Sequence, residues 1–159
     1  KKLFGGEEKE EKIIAAPVSG TAISMGQVSD PTFSQEILGK GTAVIPSDGR
    51  VVAPADGLVT MVFDTKHAIS MQTDNGAELI IHIGLDTVQL KGQYFEAHVA
   101  AGDKVKQGDL LLDFEIDKIK EAGYDVTTPV IICNTPQFPK MECRNGMEVK
   151  AGETAIIKL

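Results

Sequence analysis

Between residues 13 and 159 no apolar run goes far before a glycine or proline interrupts it, and that punctuation constrains the fold most. Ala16-Pro17-Val18-Ser19-Gly20 and Pro46-Ser47-Asp48-Gly49 show the pattern. Glycine admits positive φ, while proline fixes φ and removes a hydrogen-bond donor, so the intervening segments are of strand length. The expected fold is all-β, an antiparallel sandwich or barrel. Only residues 32–38 and 115–122 read as helical, each a turn or two.

The chain also echoes itself. Ala16-Pro17-x-x-Gly20 returns as Ala53-Pro54-x-x-Gly57, and residues 101–109 (AGDKVKQGD) return as 145–153 (NGMEVKAGE). Each later segment carries a Val-Lys-x-Gly hairpin. The echo implies a duplicated half-motif folded into one sandwich, with too few copies for a solenoid.

With 159 residues the chain suits one domain with a real core. Residues 1–12 (KKLFGGEEKEEK) are charged without an apolar face and read as a flexible leader, leaving residues 13–159 as the domain. No apolar stretch reaches the roughly 20 residues of a membrane span, and the N-terminus lacks a signal-peptide pattern. A net charge of −7, with both signs mixed, argues against a nucleic-acid surface and a basic membrane-binding surface. Cys133 and Cys143 are read as reduced thiols, consistent with a cytoplasmic protein.

Against that background two histidines stand out. Lys66-His67-Ala68-Ile69-Ser70-Met71 and Leu79-Ile80-Ile81-His82-Ile83-Gly84 are strand-like runs joined through Thr73-Asp74-Asn75-Gly76, a strong hairpin signal. A two-residue loop at 74–75, or a four-residue loop at 73–76, sets His67 directly opposite His82. An Asn75-Gly76 loop leaves them diagonal on one face, within about 7–8 Å. A three-residue loop sends them to opposite faces. Neutral imidazole, with a reference pKa of about 6.5, offers a lone pair to phosphorus without a separate base. A second imidazole offers N–H donors to phosphoryl oxygens. The Thr65 hydroxyl stands where it would fix the His67 tautomer, and Asp86 belongs at the rim, where its charge does not oppose a bound phosphate.

Thr65-Lys66-His67-Ala68 and the run His82-Ile83-Gly84-Leu85-Asp86-Thr87-Val88-Gln89-Leu90-Lys91-Gly92 resemble a known family. So do Asp30-Pro31-Thr32-Phe33 with Gly39-Lys40-Gly41, and Val52-Ala53-Pro54-Ala55-Asp56-Gly57. The family is the glucose-class IIA component of the bacterial phosphoenolpyruvate-dependent sugar phosphotransferase system, and the resemblance covers residues 13–159. It implies that His82 accepts a phosphoryl group from the carrier protein HPr and passes it to a cysteine of the IIB component of a sugar permease. It implies that His67 assists without being phosphorylated and that Thr65 supports it. Phe33, Ile37, Leu38 and Val88 would form an apolar docking collar, flanked by Asp30 and Asp86. Where the family often carries an aliphatic residue after Asp30, this chain has Pro31. The resemblance further implies no cofactor and no intrinsic metal. A regulatory target could add a carboxylate to His67 and His82 to complete a zinc site.

Two other classes compete. Gly102-Asp103-x-Val105-x-x-Gly108-Asp109-x-Leu111 with Glu115-Ile116-Asp117-Lys118 has the look of a lipoyl- or biotinyl-type swinging-arm module modified on Lys118. The residues after Lys118 read as a helical turn, however, where that module needs a returning strand. A zinc hydrolase on a related β-motif needs about three protein ligands. His67 and His82 supply two, and His98 reads as a surface residue.

Overall fold

The computed structural model describes residues 12–159. The leader expected at residues 1–12 lies, except for Lys12, outside the described residues. The first half of the chain runs β1 (Ile13–Ala15), β2 (Gly20–Ser24), α1 (Pro31–Ser34), β3 (Lys40–Pro46), β4 (Arg50–Val52), β5 (Gly57–Val62), β6 (Ala68–Thr73) and β7 (Glu78–His82). The second runs β8 (Phe95–Ala97), β9 (Lys104–Val105), β10 (Leu110–Phe114), α2 (Ile116–Glu121), β11 (Thr128–Ile132), β12 (Glu142–Cys143), β13 (Glu148–Val149) and β14 (Ala155–Lys158).

An eight-stranded sheet has the order β9-β5-β6-β7-β11-β3-β2-β13, and two three-stranded sheets have the orders β4-β10-β8 and β12-β14-β1. Every pairing is antiparallel. The sheets share one core, as a sandwich requires. Val44, Val59, Ile69, Ile81 and Val130 of the large sheet meet Leu111, Leu112, Ile156 and Ile157 of the small ones. Strand β11 is buried at all five positions, which is why its sequence Thr-Pro-Val-Ile-Ile lacks polar alternation.

The duplication read from the sequence is written in backbone hydrogen bonds. Ala15 N–H donates to the Pro54 carbonyl at 2.9 Å, and Val52 N–H donates to the Pro17 carbonyl at 2.8 Å, so the two Ala-Pro turns clasp each other reciprocally. Ala22 bonds Gly146 and Met147 as Val59 bonds Gly102 and Asp103. Ser19 Oγ accepts from Ala151 N–H at 2.9 Å, and Asp56 Oδ1 accepts from Gln107 N–H at 2.8 Å. The large sheet is therefore palindromic about the β7–β11 boundary. In one half Ala68 pairs with His82; at the matching place in the other, Gly41 pairs with Ile131.

Both helical segments exist, but the first is shorter than residues 32–38. Asp30 caps it by accepting from Thr32 N–H at 2.9 Å, with Pro31 in the first helical position. Glu36, at φ +58°, ends any continuation. Helix α2 closes before Gly123, at φ +97°.

Gly41 shows how tightly the central strands pack: a Cβ there would lie 1.9 Å from the Val130 carbonyl oxygen. Gly41→Ala should cost about 3 kcal/mol or more in urea unfolding. Gly102→Ala, at φ +98° but facing open space, should cost only about 1–2 kcal/mol. Equal losses would show that the close approach carries no weight.

Candidate functional site

The hairpin that brings the histidines together is not one of those expected. Residues 74–76 form a three-residue loop: Thr73 N–H donates to the Ala77 carbonyl at 2.8 Å, and Gly76 takes φ +101°. The loop has the length and the terminal positive-φ residue of a turn followed by a glycine bulge, and it is reinforced by Thr73 Oγ1 accepting from Ala77 N–H at 3.0 Å. His82 consequently faces Ala68. Regular pleating would send His67 to the opposite face, yet the two ring centroids lie 4.9 Å apart with planes at 81°.

The pleat does not reach His67. Strand β6 begins at Ala68, and His67 closes the turn after β5. In that turn Lys66 N–H donates to the Phe63 carbonyl at 2.7 Å and Lys66 takes φ +59°. The His67 carbonyl is held by Ile83 N–H at 2.7 Å. The turn, not strand alternation, sets the direction of the His67 ring.

Each imidazole is oriented by its Nδ1. His82 Nδ1 lies 2.8 Å from the Gly84 carbonyl oxygen. A carbonyl only accepts, so Nδ1 carries the proton and Nε2 carries the lone pair. Thr65 Oγ1 lies 2.6 Å from His67 Nδ1. A hydroxyl donates or accepts; where it donates, that nitrogen is the acceptor and His67 Nε2 bears the proton. His82 thus presents a lone pair, and His67, with Thr65 donating, an N–H.

The Gly84 carbonyl is itself built in. Gly84 sits at φ +82°, where an added Cβ would lie 2.5 Å from Thr87 Cγ2 and 2.8 Å from the Asp125 carbonyl. Leu85 N–H donates to Asp125 and Gly84 N–H to Thr127, tying the loop to the entry of β11. Thr87, fully buried, donates through its hydroxyl to the Ile83 carbonyl.

His67 is 5% exposed. Burial, and then the neighbouring His82, push its pKa from 6.5 down to about 4. Burial also lowers that of His82, opposed by the Gly84 carbonyl and by Asp30 and Asp86. Asp30 and Asp86 line one cavity of about 530 Å³ with Leu85 and Tyr124.

Of the expected collar, Ile37, Leu38 and Val88 are exposed at 66%, 42% and 45%. Phe33 is not part of that surface. It is 5% exposed, packs its ring 4.9 Å from that of His82, and belongs to a small cluster with Met25, Val28, Ala43, Leu85 and Ile131. Phe63, unremarked in the sequence, meets His67 edge-on at 5.6 Å; its place four residues before His67, across a turn, was the available signal. Lys118 is exposed on α2, away from any hairpin tip. His98 bonds Asp113 at 2.7 Å in a small sheet, so it completes no trio with His67 and His82. Both cysteines are free thiols. Among the described residues no helix is long and apolar enough to cross a membrane.

Fold and site together define a class: a duplicated antiparallel β-sandwich that holds two neutral imidazoles ring to ring at the end of its central strands. The chain belongs to the phosphoenolpyruvate-dependent sugar phosphotransferase system EIIA 1 family, whose profile matches residues 12–138. Its relatives include the PTS system glucose-specific EIIA component of Halalkalibacterium halodurans, 46% identical over all of this chain and 96% of that protein. The PTS system beta-glucoside-specific EIIBCA component of Bacillus subtilis is 51% identical over 82% of this chain, which matches 22% of that longer protein. Glucose permease IIA from Mycoplasma capricolum superposes with a TM-score of 0.84 at 34% identity, covering 94% of this chain and 96% of that one. As an EIIA component the chain is a phosphotransferase-system protein that relays phosphoryl groups in sugar uptake, working with HPr and IIB domains.

The lowered histidine pKa values have a consequence for stability. Between pH 4 and 6.5 the unfolded chain binds a proton at His67 that the folded chain does not. Stability from this group is complete above 6.5 and is lost as pH falls toward 4, about 2 kcal/mol of it by pH ~5. Between pH ~7 and pH ~5, urea unfolding should show a smaller loss of stability in His67→Gln than in the parent; an identical loss would mean His67 is protonated in the folded state.

Proposed function

We propose that residues 13–159 act as one cytoplasmic EIIA domain whose phosphoryl carrier is Nε2 of His82. The supporting observation is the bond from His82 Nδ1–H to the Gly84 carbonyl, which leaves Nε2 as the nucleophile. The Nε2 lone pair attacks the phosphorus of phosphohistidine on HPr. The new N–P bond forms as the donor's N–P bond breaks, and that electron pair returns to the donor ring. His82 keeps its Nδ1 proton, so the phosphorylated ring is cationic. The Gly84 carbonyl, and beyond it Asp30 and Asp86, favour that cation.

His67 serves as the donor to the phosphoryl oxygens. Thr65 holds its tautomer, and its low pKa keeps it neutral, so it never competes by carrying a full charge of its own. In the onward transfer the IIB cysteine thiolate attacks the same phosphorus, the S–P bond forming as the N–P bond to His82 breaks and that electron pair returns to Nε2. Ile37, Leu38 and Val88 supply the apolar contact on which HPr and IIB dock in turn, with Asp30 and Asp86 addressing basic groups of the partners. Phe33 acts from beneath, as the wall against which His82 is held.

Incubation with phosphoenolpyruvate, enzyme I and HPr should place one phosphoryl group on His82 and none on His67. His82→Ala should abolish labelling. His67→Gln should still accept the group but pass it to IIB about 10²-fold more slowly, the cost of removing one transition-state donor. Label recovered on His67, or equal loss of both steps, would refute the division of labour.

A further inference from the structure

The pseudo-twofold of the sandwich allows each small sheet to be compared with its twin, and one cross-strand row differs in charge between them. In the β12-β14-β1 sheet Glu142 faces Lys158, and Arg144 follows on the same strand side, its N–H bonded to the Ile156 carbonyl. In the β4-β10-β8 sheet the matching residues are Glu96 facing Asp113, and then His98, its N–H bonded to the Leu111 carbonyl. One copy answers its glutamate with two cationic side chains. The other answers it with a second carboxylate and an imidazole.

Two carboxylates directly opposed across antiparallel strands repel each other. Arg50 stands opposite Asp113 on the far strand, but among the described residues it makes no ion pair with it. What Asp113 does hold is His98, at 2.7 Å from Nε2. One ligand atom from each of Glu96, His98 and Asp113 lies within 4.8 Å of the others. An ion about 2.0–2.2 Å from each donor requires them to lie within about 4.4 Å of one another, close to the spacing present. The His98 and Asp113 side chains are 34% and 42% exposed. Glu96 and Asp113 also line a cavity of about 490 Å³.

We infer that Glu96, His98 and Asp113 form a surface binding site for a divalent first-row transition ion such as Zn²⁺, separate from the His67–His82 pair. One imidazole nitrogen with two carboxylates favours such an ion over Mg²⁺ or Ca²⁺, which take oxygen ligands. The metal takes the Nε2 position, and a neutral ring carries its proton on Nδ1 instead. The two strands fix the backbone positions of Glu96 and Asp113 before the ion arrives, so binding needs no folding step. It also gives the facing carboxylates the positive charge that Lys158 and Arg144 bring to the twin.

The test is a Zn²⁺ titration of the whole chain at pH 7, read by imidazole ¹H–¹⁵N spectra and by calorimetry. His98 signals should shift saturably with one equivalent in the micromolar range. Zn²⁺ should raise the unfolding temperature of the parent and of a His67→Gln, His82→Ala double variant, but not that of His98→Ala. Glu96→Gln and Asp113→Asn should each weaken binding by about tenfold or more, the size of losing even an outer-shell partner. His98→Ala must unfold like the parent in chelator, which separates lost binding from lost fold. Zn²⁺ that shifts only His67 and His82, or that binds Glu96→Gln undiminished, would overturn the site.

Discussion

The sandwich rests on a reciprocal backbone clasp: Ala15 to Pro54, and Val52 to Pro17. Proline has no N–H to give, so each turn contributes a carbonyl and the residue two before each proline contributes the donor. Around that clasp the other equivalent bonds fall into place, from the hairpins at residues 101–109 and 145–153 to the palindromic order of the large sheet. Once the register is fixed this way, β7 lies at the middle of the molecule, and its last residue, His82, is presented at a strand end with packed strands on either side.

From there the chemistry is decided by backbone more than by side chains. A carbonyl selects the tautomer of His82, a turn with one residue at positive φ aims His67, and a glycine lets the chain reverse beneath both. Thr65 is the side chain in this arrangement that reads as a designed partner, because its hydroxyl can donate where a carbonyl cannot. Burial then keeps both rings uncharged, the state in which a ring nitrogen can act as a nucleophile.

Much of this was legible in the sequence, and the failures are instructive. The glycine and proline punctuation and the two internal echoes predicted the antiparallel sandwich and its duplication. The resemblance around residues 82–92 pointed to the family that the comparisons bear out. The hairpin register was not legible, because Thr-Asp-Asn-Gly is compatible with loops of two, three or four residues, and the hydroxyl of Thr73 selects three. By strict alternation that loop would have separated the histidines. Alternation holds only inside a strand, and nothing in the sequence marks His67 as lying just outside one. The early end of α1 was hidden for a similar reason: a glutamate at positive φ carries no compositional sign. Burial of Phe33 beneath His82 was equally hidden, since an aromatic on a short helix reads the same facing in or out.

The pairing of Gly41 with Ile131, at the place where the other half pairs Ala68 with His82, bears on how such a site arises. Two copies of one motif offer two equivalent strand ends, but only one needs a reactive ring. The other is free to become foundation. Ile131, 1% exposed, packs with Phe33, and Phe33 carries His82. Duplication here yields a division between the copy that presents His82 and its plinth, so mutations at the silent strand end would be felt at the end that carries His82.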